Sequence, residues 1–264
     1  MSRLGDRVAI VTGGAEGFGA QAAAALAADG ALVLLTGLQD EAGEASAAAL
    51  RARGLRAEYH HLDITDPMAW AVLVDKIMRT HGHLDILVNH AADNISVTIE
   101  AATSEQLREI LEANLIGPFT GTKAVIAAMR QSGGGAIINI VANPIVAVLP
   151  LYPLYSAAKA ALVNLTKSTA IHCAQRSYDI RVNAVHPGTH ETEKLTENAL
   201  RSATAPNLGT LLATLPARPH GPLHEFGAAI TFLAADESHH VTGADIFCEG
   251  SLAALSFPAA PPAG

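Results

Sequence analysis

Tyr155 and Lys159 stand four residues apart in a helix-forming stretch, so one helical face would present a phenol and an ammonium together. A tyrosine hydroxyl ordinarily titrates at about 10. A neighbouring positive charge favours the phenolate and lowers that value. Each unit is worth about 1.4 kcal/mol. A phenol tuned this way can give a proton to an oxygen or take one from it. Taken alone, such a pair is more often two surface residues. A second feature changes the weighting. Thr12-Gly13-Gly14-Ala15-Glu16-Gly17-Phe18-Gly19 follows an apolar run and opens an alanine-rich stretch. Glycines there permit a tight turn, close approach of a pyrophosphate and close helix–strand packing, and a helix N-terminus supplies amide donors. An ordinary strand–helix turn can look the same, because glycine spacings recur by chance.

The elements that must position these groups are legible as alternating runs. Strands are expected at Val8–Thr12, Leu32–Thr36, Ala57–His61, Ile86–Asn89, Ala136–Val141, Ile180–Val185 and Ala244–Cys248. Helices are expected at Gly17–Asp29, Asp40–Arg53, Pro67–His81, Ser104–Gln131, Pro153–Gln175 and Leu223–Ala235. Nearly continuous apolar strands suit a sheet covered on both faces. Strand–helix alternation predicts an α/β fold with a doubly wound parallel sheet of about seven strands. No internal linker stands out, so 1–264 reads as a single dinucleotide-binding domain. Residues 188–222 interrupt the alternation and are long for a connection, which suggests a flap over substrate. The Pro-rich tail at 257–264 cannot form regular helix and would fray or lie on a neighbouring subunit.

Composition narrows the classes. Of the 264 residues half are hydrophobic, enough for a sizeable core. The net charge is −8 and no Lys/Arg cluster appears, which argues against a nucleic-acid partner. No apolar run approaches the roughly 18 residues of a membrane span, and no signal-peptide layout precedes the first strand. Cys173 and Cys248 are far apart and read as free thiols. A cytoplasmic protein is the expectation. Twelve histidines invite a metal site, but His186 and His190 are separated by Pro187 and Gly188, which break any shared helical face. No metal is expected.

The motifs together resemble the short-chain dehydrogenase/reductase family, whose turn is Thr-Gly-x-x-x-Gly-x-Gly. Further landmarks follow in order: Leu62-Asp63-Ile64, Asp85-Ile86-Leu87-Val88-Asn89-His90-Ala91-Ala92, Asn114-Leu115-Ile116-Gly117-Pro118-Phe119, Tyr155-Ser156-Ala157-Ala158-Lys159, Pro187-Gly188-x-x-x-Thr192, and Thr242-Gly243-Ala244-Asp245. The resemblance spans nearly the whole chain. It implies a Rossmann-type fold and an enzyme that moves a hydride between a nicotinamide cofactor and a carbonyl or secondary alcohol. It implies Tyr155 as acid/base, Lys159 as its tuning partner and ribose ligand, and Asn114 as anchor of a proton relay. It implies cofactor contacts from Gly13, Gly17, Phe18, Gly19, Gly37, Leu38, Asp63, Ile64, Asn89, Ala91, Tyr155, Lys159, Pro187, Gly188, His190 and Thr192. It also implies a homotetramer built on Ser104–Gln131 and Pro153–Gln175, and a small-molecule substrate.

The chain departs from the family at several points. The family places a serine thirteen residues before its tyrosine, and here that position is Ala142. Losing one preorganised donor typically costs about 3–4 kcal/mol of transition-state stabilisation. Asn143 is the expected substitute donor, Tyr152 a second candidate, and simple turn-forming by Asn143 is nearly as good a reading. His90 and Ala92 replace Asn and Gly, a change best read as repacking, although His90 could present its imidazole near the ribose. At the end of the second strand, Gly37 and Leu38 carry neither the acid of NAD-preferring members nor the Arg of NADP-preferring ones. Glu16 stands where NADP-preferring members often carry a base, and a carboxylate there repels a 2′-phosphate. The expectation is NAD, with NADP left open. Segments 93–97, 142–152 and 190–216 would line the pocket, and their leucines and valines suit an apolar alcohol or ketone, although most would serve to pack the flap. The alternatives carried forward are an imine or C=C reductase on the same scaffold, and a nucleotide-binding protein with little catalysis.

Overall fold

In a computed structural model, residues 2–141, 151–188 and 223–249 are described. Seven strands form one sheet in the order β3-β2-β1-β4-β5-β6-β7, all neighbours parallel. They are β1 Val8–Thr12, β2 Leu32–Gly37, β3 Ala57–His61, β4 Ile86–Asn89, β5 Gly135–Ile140, β6 Ile180–Pro187 and β7 Asp245–Cys248. The expected strands are all present, with ends moved by one or two residues.

Each strand feeds two cores, because successive side chains point to opposite faces. In β1, Ala9 and Val11 join a cluster with Leu26, Phe226 and Ile230, while Val8 and Ile10 join Trp70, Leu73, Val125 and Met129 on the other face. The first layer is built by α1 Gly17–Ala28, α2 Asp40–Ala52 and a C-terminal helix Leu223–Ala234. The second is built by α3 Pro67–His81, α5 Gly117–Gln131 and α6 Pro153–Gln175. A shorter helix, α4 Ser104–Leu111, begins at a capping box in which Thr103 and Gln106 exchange hydrogen bonds. The C-terminal helix is α7.

The single helix expected over 104–131 is interrupted. Between α4 and α5 runs a π-helical turn, Glu112–Ile116, closed by Gly117 N–H donating to Glu112 O. Its cause is in the sequence. Pro118 has no amide hydrogen for the carbonyl four residues back, that of Asn114, and its ring crowds that oxygen. Among the described residues no helix is long and apolar enough to cross a membrane. Cys173 is buried, Cys248 is half-buried and both are free thiols.

Candidate active site

Strand order reverses between β1 and β4, since β1 leads outward to β2 and β3 while β4 starts the other wing. Doubly wound sheets bind ligands in the crevice beyond such a switch point. Two segments meet there: the glycine turn after β1 and residues 90–92 after β4. Thr12 joins them. Its hydroxyl accepts from His90 N–H at 3.0 Å and Ala91 N–H at 3.1 Å and lies 3.4 Å from Val88 O. One donor and two acceptor sites are thus all used.

His90 is tied in rather than merely packed. Its Nδ1 lies 3.1 Å from Gly13 O, and as a carbonyl can only accept, that nitrogen carries the proton. Gly13 has φ +62°, and a Cβ on it would sit 2.9 Å from the same nitrogen. A Cβ on Gly19 would come 2.2 Å from Gly13 O, so nothing larger than glycine closes this turn. The Glu16 side chain does not cap α1. The backbone amides that open α1 lie beside this glycine turn, an arrangement of the kind that can receive an anion. The Phe18 ring turns away to pack on Phe226 of α7, centroids 4.8 Å apart.

Strand β2 stops at Gly37, where an added Cβ would meet nothing within 4 Å. Leu38 is 62% exposed. A cluster missed in the sequence surrounds this point. The Tyr59 hydroxyl reaches Gly37 O at 2.8 Å and Asp40 Oδ1 at 2.9 Å, and His61 Nδ1 lies 2.7 Å from the same carboxylate oxygen. These bonds hold the Asp40 carboxyl below its usual range. Burial and Asp40 push Tyr59 up to about 12. Only the β2–β3 register, which sets Gly37 opposite His61, brings the group together. Asp63 accepts from Thr65 N–H and Oγ1–H at 2.9 and 2.7 Å, which lowers its pKa. Ile64 packs against Gly117, and its carbonyl accepts from Trp70 Nε1 at 2.9 Å. Asn89 is turned into the sheet–helix layer, donating to Asn139 Oδ1 at 2.8 Å, while Asn139 donates to Thr166.

The tyrosine–lysine pair lies at the far wing. The first half of α6 carries Tyr155 and Lys159, and the Lys159 ammonium stands 5.6 Å from the Tyr155 ring centre. Lys159 is 2% exposed and donates to Ile140 O at 3.1 Å, at the end of β5. Desolvation pushes its pKa down to about 8. Tyr155 packs against the apolar cluster of Ile110, Leu154 and Ala158, beside Ile95, Val97 and Leu111. Burial pushes its hydroxyl up to about 12. Spacing alone predicts a lowered phenol; in this environment burial outweighs the ammonium. Asn114 sits in the π turn, fully buried. Its Nδ2 donates to Asp93 O at 2.7 Å and Ile110 O at 2.9 Å, and its Oδ1 has no partner among the described residues. Asp93 is thereby fixed beside the helix, and Val97 N–H donates to Leu151 O at 2.9 Å. Pro187 and Gly188 end β6, with Gly188 N–H donating to Cys248 O at 2.7 Å. Ala142, Asn143, His190, Thr192, most of the expected flap and the tail lie outside the described residues. Among those described, no group of His, Cys, Asp and Glu could hold a metal ion.

The family model described as short chain dehydrogenase matches residues 7–202, from the first strand past both reactive side chains. The chain belongs to the short-chain dehydrogenase family. It is 35% identical over 256 residues to a cyclopentanol dehydrogenase of a Comamonas species, covering 96% of this chain and all of that one. It is 37% identical over 255 residues to a 3-alpha-(or 20-beta)-hydroxysteroid dehydrogenase of Mycobacterium tuberculosis, covering 96% and 91%. A crystal structure of gluconate 5-dehydrogenase from Burkholderia cenocepacia, in complex with NADP and tartrate, superposes with a TM-score of 0.86 at 30% identity, covering 96% and 98%. Short-chain dehydrogenases of this kind are NAD(P)-dependent oxidoreductases that interconvert alcohols and carbonyls, and this chain is one of them. Its seven parallel strands with helices on both faces are the short-chain dehydrogenase fold.

Proposed function

We propose that this single-domain protein interconverts an apolar secondary alcohol and its ketone with NAD as hydride carrier. One observation carries the reading: Tyr155 stands at the rim of an apolar cluster with a nearly fully buried ammonium, Lys159, behind its ring. A bound nicotinamide would supply or accept the hydride. Tyr155 gives or takes the alcohol proton. Lys159, poised near 8, biases the phenol and reaches for ribose hydroxyls. Asn114 supports the relay from the π turn, where Pro118 withholds an amide hydrogen from its carbonyl. Asn143 replaces the serine donor absent at Ala142. Gly13, Gly17, Phe18 and Gly19 would hold the pyrophosphate, Phe18 through its backbone. Gly37, Leu38, Asp63 and Ile64 would hold the adenosine. Ala91, Pro187, Gly188, His190 and Thr192 would hold the nicotinamide, with Asn89 in support.

NAD is favoured by charge. Glu16 stands in the glycine turn and Asp40 just beyond the end of β2, and the side chain that could take a 2′-phosphate is the apolar Leu38. An apolar, ring-shaped substrate is supported by Ile95, Val97, Leu111 and Leu154 around Tyr155 and by the substrates named for the cyclopentanol and hydroxysteroid relatives. A homotetramer is supported by the half-exposed Phe119 of α5 and Ile171 of α6. A cytoplasmic location suits two free thiols.

The test is a panel of cyclopentanol, a hydroxysteroid, gluconate and a cyclic imine, each with NAD or NADP in the direction it requires, followed by nicotinamide absorbance. Turnover of the cyclic alcohols with NAD is expected. Turnover of gluconate or the imine alone, or a clear NADP preference, overturns the corresponding part of the reading.

A further inference from the structure

Beneath the Pro187–Gly188 turn lies a polar group that the proposed chemistry does not use. His186, the penultimate residue of β6, is 1% exposed. Its Nε2 lies 3.2 Å from Asp245 Oδ1 on β7. Asp245 Oδ2 in turn lies 2.5 Å from Lys167 Nζ on α6. In the β6–β7 register His186 is paired with Phe247, and their rings stack at 4.3 Å with planes 22° apart. The second ring nitrogen, Nδ1, is buried with no hydrogen-bond partner among the described residues. The carboxylate can only accept, so Nε2 carries a proton toward it.

This arrangement is a poor way to gain stability. An imidazole with one unpaired nitrogen is costly to bury, and a leucine of similar reach would fill the space without that cost. The Lys167 end is half-exposed, where an ion pair contributes little. What the three side chains do is tie three elements together at one point. Lys167 stands eight residues beyond Lys159 on the helix that carries Tyr155. Asp245 belongs to the edge strand. His186 directly precedes Pro187 and Gly188. The turn itself is seated tightly on β7, since a Cβ on Gly188 would come 2.5 Å from Glu249 Cα.

We propose that Lys167, Asp245 and His186 form a positioning relay that fixes the Pro187–Gly188 turn relative to α6, and so aligns the reacting carbon with Tyr155. The proposal rests on the reading that hydride and proton transfer take place between that turn and that helix. A displacement of about 1 Å at such a site can cost roughly a hundredfold in rate.

The experiment compares wild type with Lys167→Met, His186→Leu and the conservative Lys167→Arg and His186→Gln, which keep a donor toward Asp245. Kinetics on the best cyclic alcohol, calorimetric NAD titration, melting curves and amide hydrogen exchange of the 180–188 segment are read together. Lys167→Met and His186→Leu should lower kcat at least about tenfold, leave KM for the alcohol within about threefold, and speed exchange at Gly188. Lys167→Arg and His186→Gln should recover most of the loss. Unchanged kcat, or a loss that follows melting temperature and is not recovered, overturns the relay. If His186→Leu fails to fold, the half-exposed Lys167 still decides. Exchange at Gly188 needs no substrate. Faster exchange in the variants of a protein inactive on every alcohol supports the clamp and sinks only the functional reading. Unchanged exchange overturns the clamp itself.

Discussion

Around the end of β2, Asp40, His61 and Leu38 stand in solvent; around β5 and β6, Lys159, Asn114 and His186 are shut inside. Both groups lie along the C-terminal edge of one sheet. At the first wing, water and salt screen every charge, so an ion pair contributes at most about 1 kcal/mol. Recognition there must come from shape and from backbone groups, as in the Gly13–Gly19 turn. At the second wing the surroundings are dry, each charge is strongly felt, and keeping one is costly. On the proposed reading, binding and catalysis divide along the sheet by access to water.

Five outcomes would sharpen or break this division. The largest effect is expected at Tyr155. Tyr155→Phe should lower kcat by roughly 10²–10⁴-fold while the NAD dissociation constant moves less than about threefold. A kcat within tenfold of wild type would remove the phenol from the chemistry. Next, Asn143→Ala should lower kcat about a hundredfold, and Ala142→Ser in the same chain should restore most of it. Full turnover by Asn143→Ala would leave the donor unaccounted for.

Third comes the cost of the buried ammonium. Below about pH 8 both folded and unfolded chains keep the Lys159 proton, and the folded chain bears the desolvation. Between about 8 and the ordinary lysine value of 10.5 the folded state loses its proton first, so wild-type stability rises through that window. Lys159→Met should therefore be inactive yet more stable at neutral pH, by up to about 3 kcal/mol. Its advantage should vanish by about pH 10.5 in denaturant titrations. A destabilised Lys159→Met at pH 7 would mean that the lysine's contacts outweigh its burial.

The solvated wing should respond more weakly. Leu38→Arg should shift preference toward NADP by about tenfold at low salt, and less at high salt, read from paired dissociation constants. A shift that ignores salt would contradict the screened picture. Asp40→Asn should change NAD affinity by less than about threefold. A tenfold loss would show that the exposed carboxylate binds the ribose and that solvent access is a poor guide to importance.

The sheet was readable because all its strands but the edge strand β3 are mostly apolar, and the glycine turn because glycines flank a helix start. Other features depend on tertiary contact. Tyr59, Asp40 and His61 meet only once β2 and β3 pair in register. His90 reads as a packing substitution until Gly13 O is found beside it. The phenol's shift reverses sign because spacing reports the neighbouring ammonium but not the burial of both groups. The interruption of the 104–131 helix did leave a mark: a proline fourteen residues inside a helical run. The family's N-x-x-G-x-F stretch reads as helical throughout, so the proline alone does not locate the break.

That interruption has a consequence for the chain's arithmetic. Each residue turns an α-helix by about 100°. The π turn at Glu112–Ile116 closes five residues where an α turn closes about four, so one residue is absorbed without turning the helix that follows. Forcing the same residues into an unbroken α-helix would therefore swing everything after them by about a quarter turn. Ile110 would still face Leu154 and Ala158, but Val125 and Met129 would rotate out of the core beside Trp70. The bulge therefore acts as a phase shifter, letting one continuous rod serve two partners that no single helical stripe could reach together.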